Sequence, residues 1–396
     1  MNIFQNITII SLEQATVLPY LTYRLAQDGM KVIRLEHPVY GDPNRMVGEN
    51  YLGEERMNTY FMAINAGKKS LTLDLTTAEG REIFRRLITE LKADVFATNQ
   101  LPRNYAKLGI DYDTIKSIKE DIIWLGVTGF GPDSDEVTYD PILQARSGLM
   151  DLTGERNGPP QVLGVPLPDM GTSEHAYGLV MKALLERHIT GQGSRLDVSM
   201  FESTVSWLTV PITLTETFGK DITRRGNTHE FFAPVSVFKT KDGFVYIAVG
   251  NDRQWENVTK LPGFEALARE AYRKNAGRIA DVVDLNKQLG LIMANMTAEE
   301  LITRFNQAGV AISKIKTIRD VIADPLVARR LLHAKDSRTD LELTLAPPPV
   351  MTPYLESCDR QLSFPPRFGE HNERIYKNRL GYSSCKLSEL KEKKVI

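Results

Sequence analysis

Residues 7–36, ITIISLEQATVLPYLTYRLAQDGMKVIRLE, largely determine the fold that the sequence predicts. Ile7 to Ser11 is a short apolar run typical of a buried strand, Thr16 to Asp28 has the composition of a helix, and Lys31 to Glu36 is again strand-like. Parallel neighbouring strands need a long crossover, usually a helix, to bring the second strand back beside the first. This stretch therefore predicts the first unit of a parallel sheet.

The alternation continues to about residue 200. The further strand-like segments are Ser70 to Leu75, Asp94 to Thr98, Ile122 to Val127 and Arg195 to Ser199, and the helical ones are Ala78 to Lys92, Tyr112 to Glu120, Pro141 to Leu149 and Thr172 to His188. We therefore predict a large α/β domain of the Rossmann-like kind, an open parallel sheet covered by helices, over residues 1–220.

The pattern changes after Phe218. Val235 to Thr240 and Phe244 to Val249 are strand-like and are joined by Lys241-Asp242-Gly243, a hairpin signal. Helical segments follow, and we predict a smaller α+β domain over residues 221–329. Residues 330–396, which are rich in proline at 347–349, are expected to return to the large domain as an extended segment.

The composition is that of an ordinary globular protein. The chain has 396 residues, 42% hydrophobic and 25% charged, and a net charge of −1, which argues against a nucleic-acid partner or a membrane surface. Its two cysteines cannot form a disulfide framework, the first residues lack a signal-peptide pattern, and no apolar run is long enough to span a membrane. We expect a soluble, cytoplasmic protein.

Familiar site motifs are missing. Gly67-Lys68-Lys69-Ser70 resembles the end of a phosphate loop, but Met62 stands where the first glycine is needed. The six histidines show no metal-ligand spacing, so no metal site is predicted. Lys68 and Lys69 precede a predicted strand and Lys107 follows one. They are suited to hold phosphates if they lie at the ligand-binding edge of the sheet, and are otherwise solvated surface residues.

One aspartate stands out, Asp169 in the segment Val165-Pro166-Leu167-Pro168-Asp169-Met170-Gly171. It directly precedes the helix predicted from Thr172. Free amides and the helix dipole at such a position favour an ionised carboxylate. Asp169 is therefore either a helix N-cap or a reactive carboxylate that works without a base or a metal beside it.

A set of short segments, in order along the chain, resembles one known family. The segments are Leu12-Glu13-Gln14-Ala15 with Pro19, residues 29–36, residues 65–74, Tyr139-Asp140 with Gln144-Ala145, residues 147–149, Asp169, residues 190–193 with 197–200, Gly226-Asn227 with His229 and Pro234, Asp324-Pro325, and Gly369-Glu370-His371. Together they resemble the class III CoA-transferases, the family that also contains formyl-CoA transferase and α-methylacyl-CoA racemase. The resemblance runs almost from end to end.

The resemblance implies that Asp169 is the nucleophile. Its carboxylate would attack an acyl-CoA thioester to give an aspartyl anhydride and free CoA, and the CoA thiolate would return to form an aspartyl-CoA thioester. The incoming acid would reverse these steps. An ionised carboxylate needs no general base, which agrees with the residues around it. Coenzyme A, as acyl-CoA, enters as substrate, and no tightly bound cofactor is expected.

The resemblance also implies where CoA binds. The contacts are Thr16, Val17, His37, Asn65, Lys68, Asn99, Gln100, Leu101, Lys107, Tyr139 and Asp140, the last two close to the thioester. Formyl-CoA transferase has an arginine at the position of His37 and a lysine at that of Val137. Residues 226–232 replace its glycine-rich lid and are bulkier, so we expect an acid other than formate or oxalate.

Alternatives remain open at this point. An acyl-CoA racemase or isomerase would abstract an α-proton, but Tyr139 occupies the position of the family's catalytic histidine, and a phenol is a poor base at neutral pH. Intramolecular CoA transfer within a diacid would use the same residues. A non-catalytic CoA-binding subunit would be expected to lack Asp169. The resemblance further implies an acyl-CoA donor, a small carboxylic acid acceptor and a homodimer of two interlocked rings.

Overall fold

The computed structural model describes residues 3–396, which form two compact units. The larger unit comprises the chain up to Gly148, Leu163–Lys220 and Leu326–Ile396, and the smaller unit comprises Leu149–Val162 and Asp221–Pro325. The smaller unit therefore includes a segment near residue 155 that the sequence pattern did not assign to it.

The larger unit is built on a six-stranded sheet whose strands all run parallel. The strands are β1 (Thr8–Leu12), β2 (Lys31–Glu36), β3 (Lys69–Thr72), β4 (Val95–Thr98), β5 (Ile123–Thr128) and β6 (Ser194–Ser199). Their order in the sheet is β3-β2-β1-β4-β5-β6. The order reverses between β1 and β4, and doubly wound sheets bind ligands at that reversal, beyond the carboxyl ends of the strands.

Helices follow the strands along the first 220 residues. They are α1 (Val17–Gln27), α2 (Thr59–Ala63), α3 (Ala78–Glu90), α4 (Tyr105–Leu108), α5 (Tyr112–Ile118), α6 (Asp140–Arg146), α7 (Leu149–Leu152), α8 (Leu167–Thr190), α9 (Met200–Val205) and α10 (Thr209–Phe218). Helix α3 shows how local sequence sets a boundary. The Thr77 hydroxyl accepts a hydrogen bond from the Gly80 N–H, and Glu79 lies in the first turn, where a negative charge is favourable.

Separate apolar cores cover the two faces of the sheet, because consecutive strand residues point to opposite sides. Ile10 belongs to the core that includes Phe84 of α3, whereas Ile9 belongs to the core that includes Leu21 of α1 and Val180 of α8. Helix α8 is thus held against the same face as α1, which places the start of α8 beside the start of α1.

The smaller unit is a three-stranded antiparallel sheet with helices on one side. Its elements after residue 221 are β7 (Val235–Thr240), β8 (Gly243–Ala248), α11 (Asp252–Val258), α12 (Asn275–Ala280), α13 (Val282–Met293), α14 (Ala298–Gln307), β9 (Ala311–Lys314) and α15 (Ile318–Ala323). Its core packs Trp255, Leu289 and Phe305 against β8.

The remaining chain belongs to the larger unit from Leu326 onward. It contains α16 (Pro325–Ala328), a two-stranded pair formed by β10 (Leu332–Lys335) and β11 (Glu342–Leu345), α17 (Pro353–Ser357), a π-helical turn (Glu373–Lys377) and α18 (Ser384–Glu392). The Tyr376 hydroxyl donates to the Thr72 carbonyl at 2.8 Å, so this segment closes over the end of β3.

The predicted fold class is confirmed, an open parallel sheet with helices together with a smaller α+β unit. Lys69 is the first residue of β3, so Lys68 and Lys69 lie at the amino end of that strand and not with Lys107 at the ligand-binding edge. Within residues 3–396 no helix is both long and apolar enough to cross a membrane.

Candidate active site

Asp169 lies inside helix α8, not ahead of it. The helix was predicted from Thr172 but begins at Leu167, and Pro168 fits its first turn because a first-turn residue needs no intrahelical N–H partner. The amides that the sequence argument expected to be free are occupied. Leu167 N–H donates to the Val165 carbonyl and Met170 N–H to the Pro166 carbonyl.

The Asp169 backbone is held by a short chain of hydrogen bonds from α6. Its N–H donates to Asp140 Oδ2 at 3.1 Å. Asp140 Oδ1 accepts from Gln144 Nε2 at 2.6 Å, and Gln144 Oε1 accepts from the Leu163 N–H at 2.9 Å. These contacts fix the first turn of α8 against α6 and place a second carboxyl group beside Asp169.

The Asp169 carboxylate itself is partly buried and receives no hydrogen bond from any residue between 3 and 396. Burial, and then the charge of Asp140, raise its pKa to about 7. The expectation that the helix terminus would favour the ionised form is wrong, because the nearby amides are already bonded and the closest charge is negative.

The start of α1 meets the start of α8 through Ser173. The Ser173 hydroxyl lies 2.5 Å from the Val17 carbonyl and 2.8 Å from the Asp169 carbonyl. Val17 is thus close to Asp169. Its neighbour Thr16 directs its hydroxyl to the Tyr60 hydroxyl at 3.1 Å.

Trp207 packs across the turn that follows Asp169. A Cβ atom added at Gly171 would lie only 1.7 Å from the Trp207 ring, so the ring contacts the helix backbone directly. The indole N–H donates to His175 Nε2 at 3.2 Å, and His175 Nδ1 pairs with the Ser203 hydroxyl at 2.7 Å. Sequence reasoning missed the contact between Trp207 and the α8 backbone because nothing in the sequence links Trp207 to Gly171.

A cleft of about 220 Å³ opens beyond the carboxyl ends of β1 to β4. His37, Gln100 and Lys107 line it together with Asp74. His37 Nε2 is 3.7 Å from Asp74 Oδ1, and the Lys107 side chain is exposed. The structure therefore brings together three of the predicted CoA contacts, at the edge of the sheet where a ligand is expected.

Asn99 and Leu101 belong to the loop at the strand reversal. The Asn99 amide donates to the Gln14 carbonyl at 2.8 Å and its Oδ1 accepts from the Gln14 N–H at 3.1 Å, which joins the loops after β1 and β4. Leu101 precedes a 3-10 turn (Pro102–Asn104). Asn99 and Leu101 flank Gln100, which lines the cleft.

Asn65 and Lys68 are fully buried structural residues. Lys68 Nζ contacts Glu13 Oε1 at 3.0 Å, the Pro19 carbonyl at 2.6 Å and Asn65 Oδ1 at 2.8 Å. Asn65 Oδ1 also accepts a hydrogen bond from Arg34. Because every donor of the Lys68 ammonium is occupied by the protein, we do not retain these two residues as CoA contacts.

Tyr139 and Asp140 are adjacent in sequence but differ in environment. Tyr139 is 69% exposed at the N-terminus of α6, whereas Asp140 is only 6% exposed. Burial raises the pKa of Asp140. Asp140 thus contacts the Asp169 turn, and Tyr139 faces solvent.

In the smaller unit, the segment that replaces the glycine-rich lid pairs with the chain near residue 155. Arg224 N–H donates to the Asp151 carbonyl at 2.8 Å and Gly226 N–H to the Gly154 carbonyl at 2.7 Å. Gly226 has a φ of +65°, and a Cβ there would lie 2.6 Å from Glu155 Oε2. The ring of His229 stacks at 5.1 Å on Phe232, which is 42% exposed.

A doubly wound sheet with an open cleft at its reversal is the arrangement in which α/β proteins bind nucleotide-like ligands. The chain belongs to CoA-transferase family III, whose model matches residues 4–372. It is a CoA-transferase of that family.

Individual relatives agree with this assignment. The chain is 30% identical over 395 residues to succinyl-CoA:glutarate CoA-transferase of Homo sapiens, covering 98% of this chain and 88% of that protein. It is 32% identical over 381 residues to succinate–glutarate CoA-transferase of Agrobacterium fabrum, covering 93% and 94%. The crystal structure of a CaiB/BaiF family protein from Brucella suis superimposes with a TM-score of 0.82 at 30% identity, covering 94% of this chain and 98% of that one.

Proposed function

We propose that this enzyme transfers CoA from an acyl-CoA thioester to a free carboxylic acid through covalent intermediates on Asp169. The supporting observation is a partly buried carboxylate without a hydrogen-bond donor and with a pKa of about 7. Such a carboxylate is ionised to a useful extent at neutral pH. It is also more basic, and hence more nucleophilic, than one stabilised by donors.

The proposed reaction balances without an external acid or base. Asp169 Oδ attacks the thioester carbonyl, the carbon–sulfur bond breaks, and CoA leaves as a thiolate. The thiolate attacks the aspartyl carbonyl of the anhydride, which releases the donor acid as a carboxylate and leaves an aspartyl-CoA thioester. The acceptor carboxylate then repeats both steps in reverse. Each step exchanges one acyl bond for another, so positioning is the main requirement.

For the substrates, we propose small dicarboxylic acids and their CoA thioesters. Both relatives compared above are named for succinate and glutarate, and each aligns with nearly the whole of this chain. The phosphate-bearing end of CoA is proposed to occupy the cleft lined by His37, Gln100 and Lys107. Thr16, Val17, Asn99, Leu101, Tyr139 and Asp140 remain proposed contacts along the path towards Asp169. CoA acts as substrate, with no tightly bound cofactor.

We further propose that the enzyme is a homodimer. Helix α10 has no buried residue although it is rich in apolar side chains, with Val210 and Phe218 exposed by 55% and 69%. Separately, α15 has no buried residue and its Ile318 is 76% exposed. Apolar surface of this extent is typical of subunit interfaces. Light scattering coupled to gel filtration should give twice the mass of one chain, and a monomer would contradict the proposal.

The covalent mechanism is tested by trapping. The enzyme is incubated with succinyl-CoA, glutarate and hydroxylamine, digested and analysed by mass spectrometry. Asp169 should be converted to a hydroxamate, while Asp140 should stay unmodified. Asp169→Ala should lose transfer activity by roughly four orders of magnitude, as removal of a nucleophile does.

Two outcomes would contradict the proposal. One is an unmodified Asp169 during steady turnover. The other is full activity of the Asp169→Ala variant. Exchange of the substrate α-hydrogen for solvent deuterium would instead indicate the racemase or isomerase reaction.

A further inference from the structure

The amino end of the large sheet carries a second cleft, at the opposite edge from the candidate CoA cleft. Its volume is about 260 Å³. Four basic side chains line it, those of Lys31, Lys69, Arg374 and Arg379, together with Thr8 and Asn378. A five- to six-residue strand is roughly 17–20 Å long, so the two clefts are separate sites on one sheet.

The fold itself assembles this cluster. Lys31 and Lys69 are the first residues of the neighbouring strands β2 and β3, and Thr8, the first residue of β1, is aligned with Lys31. The π-helical turn contributes Arg374, and Asn378 and Arg379 follow it directly. π-Helical turns are rare and occur frequently at functional sites.

Among the described residues, the four positive charges have no acidic partner. Within residues 3–396 neither lysine and neither arginine of the cluster forms an ion pair or a side-chain hydrogen bond. Burial, followed by the charges of Arg374, Lys31 and Arg379, lowers the pKa of Lys69. The cluster is therefore self-repelling.

Carboxylates in the same region are engaged elsewhere. Glu373 pairs with Lys377 at 3.8 Å, and Glu370 pairs with Arg338 at 2.8 Å. Asp94 pairs with Arg187 at 2.8 Å and accepts the Thr8 N–H at 2.7 Å. Thr8 is 6% exposed, lines the cleft, and its hydroxyl has no hydrogen-bond partner among the described residues. The Thr8 hydroxyl is thus available as a hydrogen-bond donor next to the four cationic side chains.

We propose that this cleft binds a compact anion with at least two negative charges, of the phosphate class. Two guanidinium groups can bind a tetrahedral oxyanion through paired hydrogen bonds, and two ammonium groups can neutralise it. A volume of about 260 Å³ accommodates a phosphate group. Inorganic phosphate and the phosphate group of a small metabolite share this chemistry.

The test is calorimetric titration of the full-length protein with inorganic phosphate at constant ionic strength, with chloride as the balancing anion. Wild type should show saturable binding. The double variant Arg374→Gln/Arg379→Gln should bind at least tenfold more weakly. Lys377→Gln is the matched control, because Lys377 lies on the same π-helical turn, pairs with Glu373 and does not line the cleft. It should bind phosphate within twofold of wild type.

Thermal unfolding provides a second test, because the melting temperature of the double variant relative to wild type should change in opposite directions in chloride and in phosphate. In dilute chloride the double variant should melt at or above the temperature of wild type, because self-repulsion is reduced. In phosphate it should melt below wild type, because it gains no ligand stabilisation. A variant that is merely damaged would melt lower in both buffers, and that result would overturn the proposal.

Two further arms complete the design. Glycerol phosphate in place of inorganic phosphate distinguishes the two sources, since tighter binding of the ester would identify a metabolite. Asp169→Ala should bind phosphate like wild type, so this proposal can fail or succeed independently of the proposed reaction. Absence of saturable heat with both anions, or equal binding by the double variant, would refute the site.

Discussion

Two carboxylates of the larger unit, Glu36 and Asp169, have the same side-chain chemistry and opposite environments. Glu36 is 2% exposed and accepts hydrogen bonds from Arg45 at 2.7 Å and from the Ser70 hydroxyl at 2.8 Å, with Arg34 at 3.2 Å. Burial opposes its ionisation, but Arg34 and Arg45 outweigh burial and lower its pKa to about 2. For Asp169, burial and Asp140 act in the same direction and raise the pKa to about 7.

The difference lies in the donors and not in the depth of burial. Around Glu36 each buried charge has a partner, so the charges stabilise the structure and are chemically inert. At Asp169 the folded protein holds a carboxylate that it does not stabilise. Such an arrangement lowers the stability of the folded protein. It is typical of reactive sites, where groups that are needed for activity are often destabilising.

The largest effect is expected from neutralising Glu36. Glu36→Gln leaves Arg45 buried without its ion-pair partner, while Arg34 keeps Asp42 at 2.7 Å. The substitution should lower the free energy of unfolding by about 3–5 kcal/mol at pH 7. Because the folded-state pKa is about 2, below the ordinary glutamate pKa of 4.5, the stability that Glu36 contributes is present above pH 4.5 and is lost as the pH falls towards 2. Urea titrations should show that the difference in free energy of unfolding between wild type and Glu36→Gln is smaller at pH 3 than at pH 7.

A control separates this network from ordinary surface ion pairs. Glu256 pairs with Lys260 on an exposed helix face, and Glu256→Gln should leave the unfolding midpoint unchanged. Equal effects of both substitutions would mean that the buried network is not a special source of stability.

The second-largest effect on stability is expected from enlarging Gly171. Gly171→Ala forces a methyl group against the Trp207 ring and should cost about 2–3 kcal/mol, more than the helix preference of alanine returns. Transfer activity should fall by roughly tenfold or more because the Asp169 turn shifts. Unfolding curves and steady-state rates measure the two effects.

Gly178 on the same helix is the matched control. Its position has open space, so Gly178→Ala should stabilise the protein by about 0.5–1 kcal/mol and leave activity intact. Destabilisation by both substitutions would indicate a general effect of helix α8 and not the Trp207 contact.

Neutralising Asp169 should raise the free energy of unfolding, whereas neutralising Glu36 should lower it. The folded-state pKa of Asp169 is raised to about 7 from the ordinary aspartate pKa of 3.8. The stability linked to its protonation is therefore fully present below pH 3.8 and is lost as the pH rises through 7. Asp169→Asn removes the charge and should raise the free energy of unfolding by about 1–2 kcal/mol at pH 8, and by little at pH 4. Asp133→Asn, at an exposed position, should change neither value. A destabilised Asp169→Asn variant at pH 8 would contradict the unfavourable charge.

The smallest effect is a shift in pH dependence. In the wild type, transfer should rise with pH through about 7 as Asp169 ionises. Asp140→Asn removes the like charge but keeps an oxygen for the Asp169 N–H, so the midpoint should fall by less than about one pH unit. Asp140→Ala also loses the hydrogen bond and should lower kcat in addition. An unchanged midpoint in both variants would show that Asp140 does not tune Asp169.

Sequence reasoning went furthest where one element carries its own signal. β2 and β7 have the predicted boundaries, because a short β-rich run bounded by turn residues is a local signal. It failed at the start of α8, which is predicted at Thr172 but lies at Leu167, because proline at position 168 fits a first turn. It also failed for Lys68, whose buried partner Glu13 lies 55 residues away and leaves no trace in a local pattern.

The sequence alone determined the parallel α/β architecture, the family resemblance and the choice of Asp169, because alternating strands and helices and an ordered series of motifs are written along the chain. Tertiary structure decided the chemistry of that aspartate. Its pKa depends on Asp140, on amides already bonded to Val165 and Pro166, and on burial, all of which exist only after α6 and α8 pack together. The same holds for the cationic cleft, since Lys31, Lys69 and Arg374 meet only across the folded sheet.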